Sequence, residues 1–403
     1  MISARRYSPT NTRLFTWLVR KTYGLWIVRS YKVETTGLDF ACSLEPPYIV
    51  VGNHTTNLDP FLCNALLPRP IHWVASDGNM RSPIMRFLLI KVAGAIPKSK
   101  AIPDIETVNW IVEFIRRRKG VVGLYPEGQA SWNGTSIPSL GSTAKLLKLL
   151  KVPVVLVLSK GSYMTKPRWA YTLRTGKVKI AFSLLFDLAA LKSLSVGEIS
   201  KKLDAAIFHD DPAWALAEGI KYRGPGMAEC LELAFYACPV CGALQTLESS
   251  GSTVACTACG ARTEYAEDGS FSLPFPSSLP AWDAWQEAHL AKLLAERFVP
   301  SPNLPIFTDS GVILLEGRRI DTMRRLGSGK LTLSAAGLEF SPLLGRKLVF
   351  DIKDIEGPGI LKWNFFEFYV GKTVYKAKFR DRSSSGRKYS VALELLAKLR
   401  GQG

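Results

Sequence analysis

Two sets of residues in this chain have the types and spacing that chemistry needs. The first is His54, directly after the apolar run "YIVVGN", with Asp59 five positions on. A neutral imidazole is the usual protein base near neutral pH, and a carboxylate beside it fixes its tautomer and stabilises the imidazolium. Asp59 also precedes Pro60, the pattern of an N-cap followed by proline at the first helical position, so "PFLCNALL" is expected to be a helix that Asp59 caps. The second set is Cys238-x2-Cys241 and Cys256-x2-Cys259, each pair followed by glycine. Two such knuckles bring four thiolates to one closed tetrahedral site. That suits a structural zinc ion and leaves no open position for catalysis.

The elements that must position these residues follow from periodicity. From 47 to 160 apolar runs alternate with amphipathic stretches: "YIVVGN", "VVGLYPEG" and "VPVVLVLS" read as buried strands, "PDIETVNWIVEFIRRRKG" and "SLGSTAKLLKLL" as helices. Strands alternating with helices make an α/β domain. "GKVKIAFSLLF" adds a strand, and a helical stretch near 195 to 220 closes the domain. The cysteine module follows, then a proline-rich linker with one helix. From about 305 the chain reads as β, ending in the helix "RKYSVALELLAKLR". His72, His209 and His289, with Cys42, Cys63 and Cys230, read as packing residues.

Three further stretches stand at fixed order around His54. "GAIPKSK" is a loop carrying Lys98 and Lys100, "YPEGQASWNG" puts Glu127 and Gly128 at the end of a buried strand, and "KVPVVLVLSKG" opens a strand with Pro153. In α/β sheets ligands bind at that carboxyl edge. Together the four stretches resemble the glycerolipid acyltransferase family of 1-acylglycerol-3-phosphate acyltransferases, which carries NHxxxxD, a GxIPxxR-like loop, (F/Y)PEGxRS and a VP-rich strand. The resemblance covers roughly residues 40 to 210. It implies that His54 is the general base on an acceptor hydroxyl, with Asp59 orienting it. It implies that Asn53 positions the loop backbone, that Glu127 and Gly128 shape the acceptor site, and that Lys98 and Lys100 hold a phosphate. The co-substrate would be acyl-CoA or acyl-carrier protein, and the acceptor a lysophospholipid of the lysophosphatidic acid type.

Two departures bear on the acceptor. Gln129 and Ala130 stand where the family has xR, and Lys100 where it has arginine. Arginine grips phosphate bidentately and lysine offers a point charge. Phosphate recognition therefore falls to Lys98, Lys100 or Lys145, or the acceptor is not a simple glycerol phosphate. A non-catalytic lipid-binding adaptor on the same fold is the alternative that the absent arginine favours.

The net charge of +18 over 403 residues asks for an acidic partner. Residues 1 to 33 hold seven Arg or Lys and no acid, interleaved with Phe15, Trp17, Tyr23, Trp26 and Tyr31. That composition fits a helix lying in an anionic membrane interface; Arg20 and Lys21 interrupt it too early for a leader or a span. Nucleic acid is set aside, because no Lys or Arg lies between Cys238 and Cys259. The expected location is the cytoplasmic face of a membrane, peripheral or monotopic. The expected organisation is a basic aromatic interfacial segment (1–33), an α/β acyltransferase domain (34–226), a small zinc ribbon (227–272) and a proline-rich linker with one helix (273–304). A C-terminal all-β domain capped by a helix (305–403), loosely PH- or GRAM-like, completes it. Its basic residues Lys376, Lys378, Arg380, Arg382, Arg387 and Lys388 form a cluster open to either solvent or anionic lipid.

Overall fold

The computed structural model describes residue 10 and residues 13–99, 105–381 and 384–401. Lys100 and Arg382, singled out above, lie outside the described residues. The chain divides into two compact units, Met1–Arg168 with Thr172–Gly224, and Trp169–Tyr171 with Pro225–Gly403.

The first unit is built on seven strands: β1 (Val33–Thr36), β2 (Tyr48–Gly52), β3 (Ile71–Ser76), β4 (Ile96–Lys98), β5 (Val121–Leu124), β6 (Val154–Lys160) and β7 (Val178–Phe186). Their order is β1-β7-β6-β2-β5-β3-β4. Every neighbouring pair is parallel except β6 with β7. A parallel sheet needs both faces covered, and the central strands are correspondingly apolar throughout. Alternate residues go to opposite sides: Ile49 and Val51 join one cluster with Phe114, Leu147 and Leu203, while Tyr48 and Val50 join another with Ile27, Leu62 and Leu67. Each such fully buried side chain stabilises the sheet by about 1.5–3 kcal/mol. Two expectations change here. The 94–100 stretch is not all loop, because Ile96–Lys98 pairs with β3 as an edge strand. And Asp59 is the first residue of the helix Asp59–Leu66, with Leu58 before it and no side-chain cap, because its carboxylate turns back onto the preceding loop.

The second unit starts with a three-stranded sheet, β8 (Leu247–Ser250), β9 (Thr253–Cys256) and β10 (Arg262–Glu264), in the order β10-β9-β8. Seven antiparallel strands follow: β11 (Pro305–Gly317), β12 (Arg324–Ser334), β13 (Gly337–Pro342), β14 (Leu348–Asp351), β15 (Ile355–Leu361), β16 (Phe365–Val370) and β17 (Thr373–Phe379). They are ordered β14-β13-β12-β11-β17-β16-β15, with the helix Arg387–Leu399 packed on β15 and β16. The stretch expected to be a linker is structural instead. Its helix Leu279–Leu293 buries Trp282 and Gln286 completely. Trp282 Nε1 donates to the Ala237 carbonyl at 3.1 Å, and Gln286 Oε1 accepts from Tyr236 N at 3.0 Å.

The basic residues expected to form one cluster are dispersed by the fold. Arg387 is buried against Asp283 (2.8 Å), Lys388 against Asp309 (2.7 Å) and Lys376 against Glu367 (3.0 Å). Buried cations require paired carboxylates, and these have them, so they are internal struts and not a surface for lipid. Lys378 is half-buried and Arg380 exposed.

Candidate active site

Strands β2 and β5 are adjacent and parallel, so their carboxyl ends lie side by side. His54 follows one end and Glu127 the other, which explains why two residues so far apart in the chain meet. His54 Nδ1 lies 2.9 Å from Asp59 Oδ2. The same oxygen accepts from the backbone N–H groups of Thr55 (2.8 Å) and Thr56 (2.9 Å), and Oδ1 accepts from Thr55 Oγ1 at 3.1 Å. A carboxylate only accepts, so in the neutral imidazole this contact selects the tautomer with the proton on Nδ1. The Asp59 side chain is 4% exposed and the imidazole 17%. The pair thus joins a fixed, shielded carboxylate to an imidazole with limited access to solvent.

The main chain of His54 is held from the neighbouring loop. Its N–H donates to Glu127 Oε1 at 2.6 Å, and its carbonyl accepts from Ser131 N at 2.9 Å. Glu127 Oε2 accepts from Ile137 N at 2.7 Å. Burial pushes the Glu127 carboxyl up to about 8, against the pull of those two backbone donors. Gly128 has φ 75°, and a Cβ there would lie 2.9 Å from Leu140, so glycine is what lets the chain turn after Glu127. Asn53 is a clamp between strands: Nδ2 donates to Ser159 O at 2.7 Å and Oδ1 accepts from Ser159 N at 2.8 Å.

One group escaped sequence reasoning. Tyr125 stacks on the His54 imidazole, centroids 4.3 Å apart and planes at 15°, and it also stacks on Trp73 at 4.9 Å and 6°. A Cβ at Gly123 would lie 2.5 Å from Trp73, so the missing side chain makes room for the stack. Burial holds the Tyr125 phenol well above its ordinary pKa, so it stays neutral and offers its π face to an imidazolium. The aromatic opening of "YPEG" is a visible signal for Tyr125; nothing in the sequence marks Trp73.

Lys98 and Lys145 are not part of this cluster. Lys98 ends β4, at the same carboxyl edge but three strand spacings from β2, about 14 Å. Lys145 is exposed on the helix Gly141–Leu150. At the position where the resemblance leads one to expect arginine, the Ala130 carbonyl accepts from Arg168 Nη1 at 2.9 Å, and Arg168 stacks on Trp132 at 4.3 Å.

In the second unit the Sγ atoms of Cys238, Cys241, Cys256 and Cys259 all lie within 4.8 Å of one another. Two pairs, Cys238 with Cys259 and Cys241 with Cys256, are 3.8 Å apart. A tetrahedral ion bound at about 2.3 Å requires sulfur–sulfur edges of about 3.8 Å, so the cluster fits zinc. Gly242 and Gly260, with φ 73° and 75°, turn the two knuckles. The remaining histidines have structural partners: His72 Nδ1 on Gly94 O, His289 Nε2 on Gly242 O, and His209 against Asp211.

Comparison with known proteins places the site in context. Residues 32–160 match the Acyltransferase family model. The chain is 26% identical over 161 residues to the 1-acyl-sn-glycerol-3-phosphate acyltransferase of Saccharomyces cerevisiae, covering 39% of this chain and 53% of the yeast protein. It thus spans about half the length of that curated relative. Among solved structures it is similar to the 1-acyl-sn-glycerophosphate (LPA) acyltransferase PlsC from Thermotoga maritima, with TM-score 0.41, 18% identity, and coverage of 48% of this chain and 76% of that one. It also overlaps a chain of the 8S snRNP assembly intermediate, with TM-score 0.19, 16% identity, and coverage of 23% and 82%. His54, Asp59 and Glu127 lie within the span that matches the Acyltransferase family model.

Proposed function

We propose that this protein transfers a fatty acyl group from acyl-CoA or acyl-carrier protein to the hydroxyl of a lysophospholipid of the lysophosphatidic acid type, at a membrane surface. The observation that carries the proposal is the His54–Asp59 pair, 2.9 Å apart at the carboxyl edge of the sheet inside the acyltransferase match. His54 Nε2 takes the proton of the acceptor hydroxyl as its oxygen attacks the thioester carbonyl. Asp59 stabilises the imidazolium so formed, and Tyr125 supports it through its ring face. Collapse of the tetrahedral adduct breaks the carbon–sulfur bond, and the imidazolium returns the proton to the departing thiolate. Glu127 acts by holding the His54 backbone, which makes it a positioning residue. Lys98 is the described basic residue at the same sheet edge from the phosphate loop, and it is the proposed headgroup contact.

The four cysteines would hold a structural zinc ion, and the β11–β17 order with its closing helix supports a PH-like reading of the C-terminal region. Membrane contact is supported by exposed apolar side chains on the first helices, among them Leu14, Trp17 and Trp26 at 65%, 55% and 50% exposure. A second apolar group, Ile84, Met85, Phe87 and Leu88, is exposed between β3 and β4. Among the described residues no helix is long and apolar enough to cross a membrane. The adaptor alternative retains one supporting observation, Ala130 in place of arginine. Purified protein on liposomes, given acyl-CoA or acyl-carrier protein and a panel of lysolipids, tests the proposal. Transfer to a phosphate-bearing lysolipid supports it, and liposome binding without transfer to any acceptor favours the adaptor.

A further inference from the structure

The loop that follows Glu127 and Gly128 is held by two of its carbonyls. Arg168 Nη1 donates to the Ala130 carbonyl at 2.9 Å, and Tyr163 Oη donates to the Trp132 carbonyl at 2.7 Å. Between them, Ser131 N donates to the His54 carbonyl at 2.9 Å. The Ala130 C=O and the Ser131 N–H belong to one peptide group, which is planar, with its oxygen and hydrogen on opposite sides. Whatever fixes the Ala130 carbonyl therefore also aims the Ser131 N–H at His54. The bond from a guanidinium is charge-assisted, and a carbonyl so bonded polarises its own peptide N–H, which strengthens the onward bond.

The guanidinium has little freedom of its own. It lies over the Trp132 ring at 4.3 Å from the centroid, and Arg168 is 6% exposed. Tyr163 is completely buried, its N–H donating to Asp211 Oδ2 at 2.8 Å, while Asp211 Oδ1 accepts from Gly161 N at 2.6 Å. Ser131 Oγ closes the turn, donating to the Thr135 carbonyl at 2.8 Å and accepting from Gly134 N at 2.9 Å. Ser131 thus presents its N–H from a loop fixed on both sides, and all of these residues belong to the first unit.

We infer that Arg168 is a positioning residue for His54, acting through the peptide group that joins Ala130 to Ser131. Glu127 holds the His54 N–H and Arg168, at one remove, holds the His54 carbonyl, so the ring meets Asp59 at a set distance. The bearing on rate rests on the acyl-transfer reading above; the bearing on the His54 ring does not.

The test combines initial rates with nitrogen-15 spectra of the histidine-labelled full-length chain, where His54→Ala identifies the His54 signals among those of four histidines. At a pH where the ring is neutral, wild type should show the Nδ1–H tautomer. Arg168→Ala should draw the Nδ1 and Nε2 signals toward each other and lower kcat about 10- to 100-fold, with KM for the acyl donor within about twofold of wild type. Arg168→Lys keeps the charge without the planar fork and should fall between the two. If the alanine variant melts well below wild type, Arg168→Gln, which keeps an N–H donor without the charge, carries the comparison, with a smaller change in the same direction. Unchanged His54 signals in a folded Arg168 variant would overturn the inference. So would a loss confined to a raised KM for a phosphate-bearing lysolipid, which would make Arg168 a headgroup contact. Displaced His54 signals in a chain that transfers no acyl group would uphold the inference while the acyl-transfer reading fails.

Discussion

Replacing Asp59 with Asn and with Ala separates the two jobs of that carboxylate, and the two outcomes should differ sharply. Three donors converge on Oδ2: His54 Nδ1 and the backbone N–H groups of Thr55 and Thr56. An Asn amide must place its oxygen there, because its NH2 would face three hydrogens. Its nitrogen then points at Thr55 Oγ1, a hydroxyl able to rotate and accept. The His54 tautomer survives in Asp59→Asn and only the negative charge is lost. A hydrogen bond to a charged partner is worth about 1–2 kcal/mol more than a neutral one. The expected loss in kcat is therefore about 5- to 30-fold, well short of the roughly 10,000-fold seen where the amide inverts the tautomer. In Asp59→Ala the imidazole loses its orienter and two buried N–H groups lose their acceptor. That predicts a loss of about 1,000-fold or more in kcat and about 2–4 kcal/mol in stability. Initial rates of acyl transfer and a denaturant melt on the three proteins measure both. An Asn variant as slow as the Ala variant, at wild-type stability, would refute the reasoning about Oδ2.

Three further outcomes follow from the same geometry. Glu127 is raised above its unfolded value of 4.5 to about 8, so the folded state holds the extra proton between those values and stability should fall as pH rises from 4.5 to 8. Glu127→Gln should flatten that slope in melting curves. Tyr125→Phe keeps both ring stacks and should stay within about threefold of wild-type rate, whereas Tyr125→Ala should lose about 10- to 100-fold. Metal analysis should find one zinc per chain, and Cys241→Ser or a strong chelator should lower the melting temperature of the second unit.

Much of this architecture is legible in the amino-acid sequence. Buried strands such as 121–124 and 154–160 announce themselves as β-branched runs, and the cysteine spacing announces its own knuckles. The His54–Asp59 pair is legible because a short loop after a strand keeps the two residues together in sequence. What stays hidden depends on non-local pairing. Strands β1, β3 and β4 are short or carry polar residues, and only their neighbours in the sheet make them strands. Trp73 reaches His54 through Tyr125 across two strands, a relation with no sequence period. The charges at 376–388 mislead for a related reason. Composition counts cations, and only the fold reveals that Asp283, Asp309 and Glu367 have already matched three of them.

The most direct test of the central claim is the rate of acyl transfer from a long-chain acyl-CoA to lysophosphatidic acid on liposomes, by wild type and by His54→Ala. The account predicts transfer by the wild-type chain and a loss of at least about 1,000-fold in the variant, with unchanged liposome binding and melting temperature. Transfer by His54→Ala at a comparable rate would contradict it, because the base that the geometry supplies would then be dispensable.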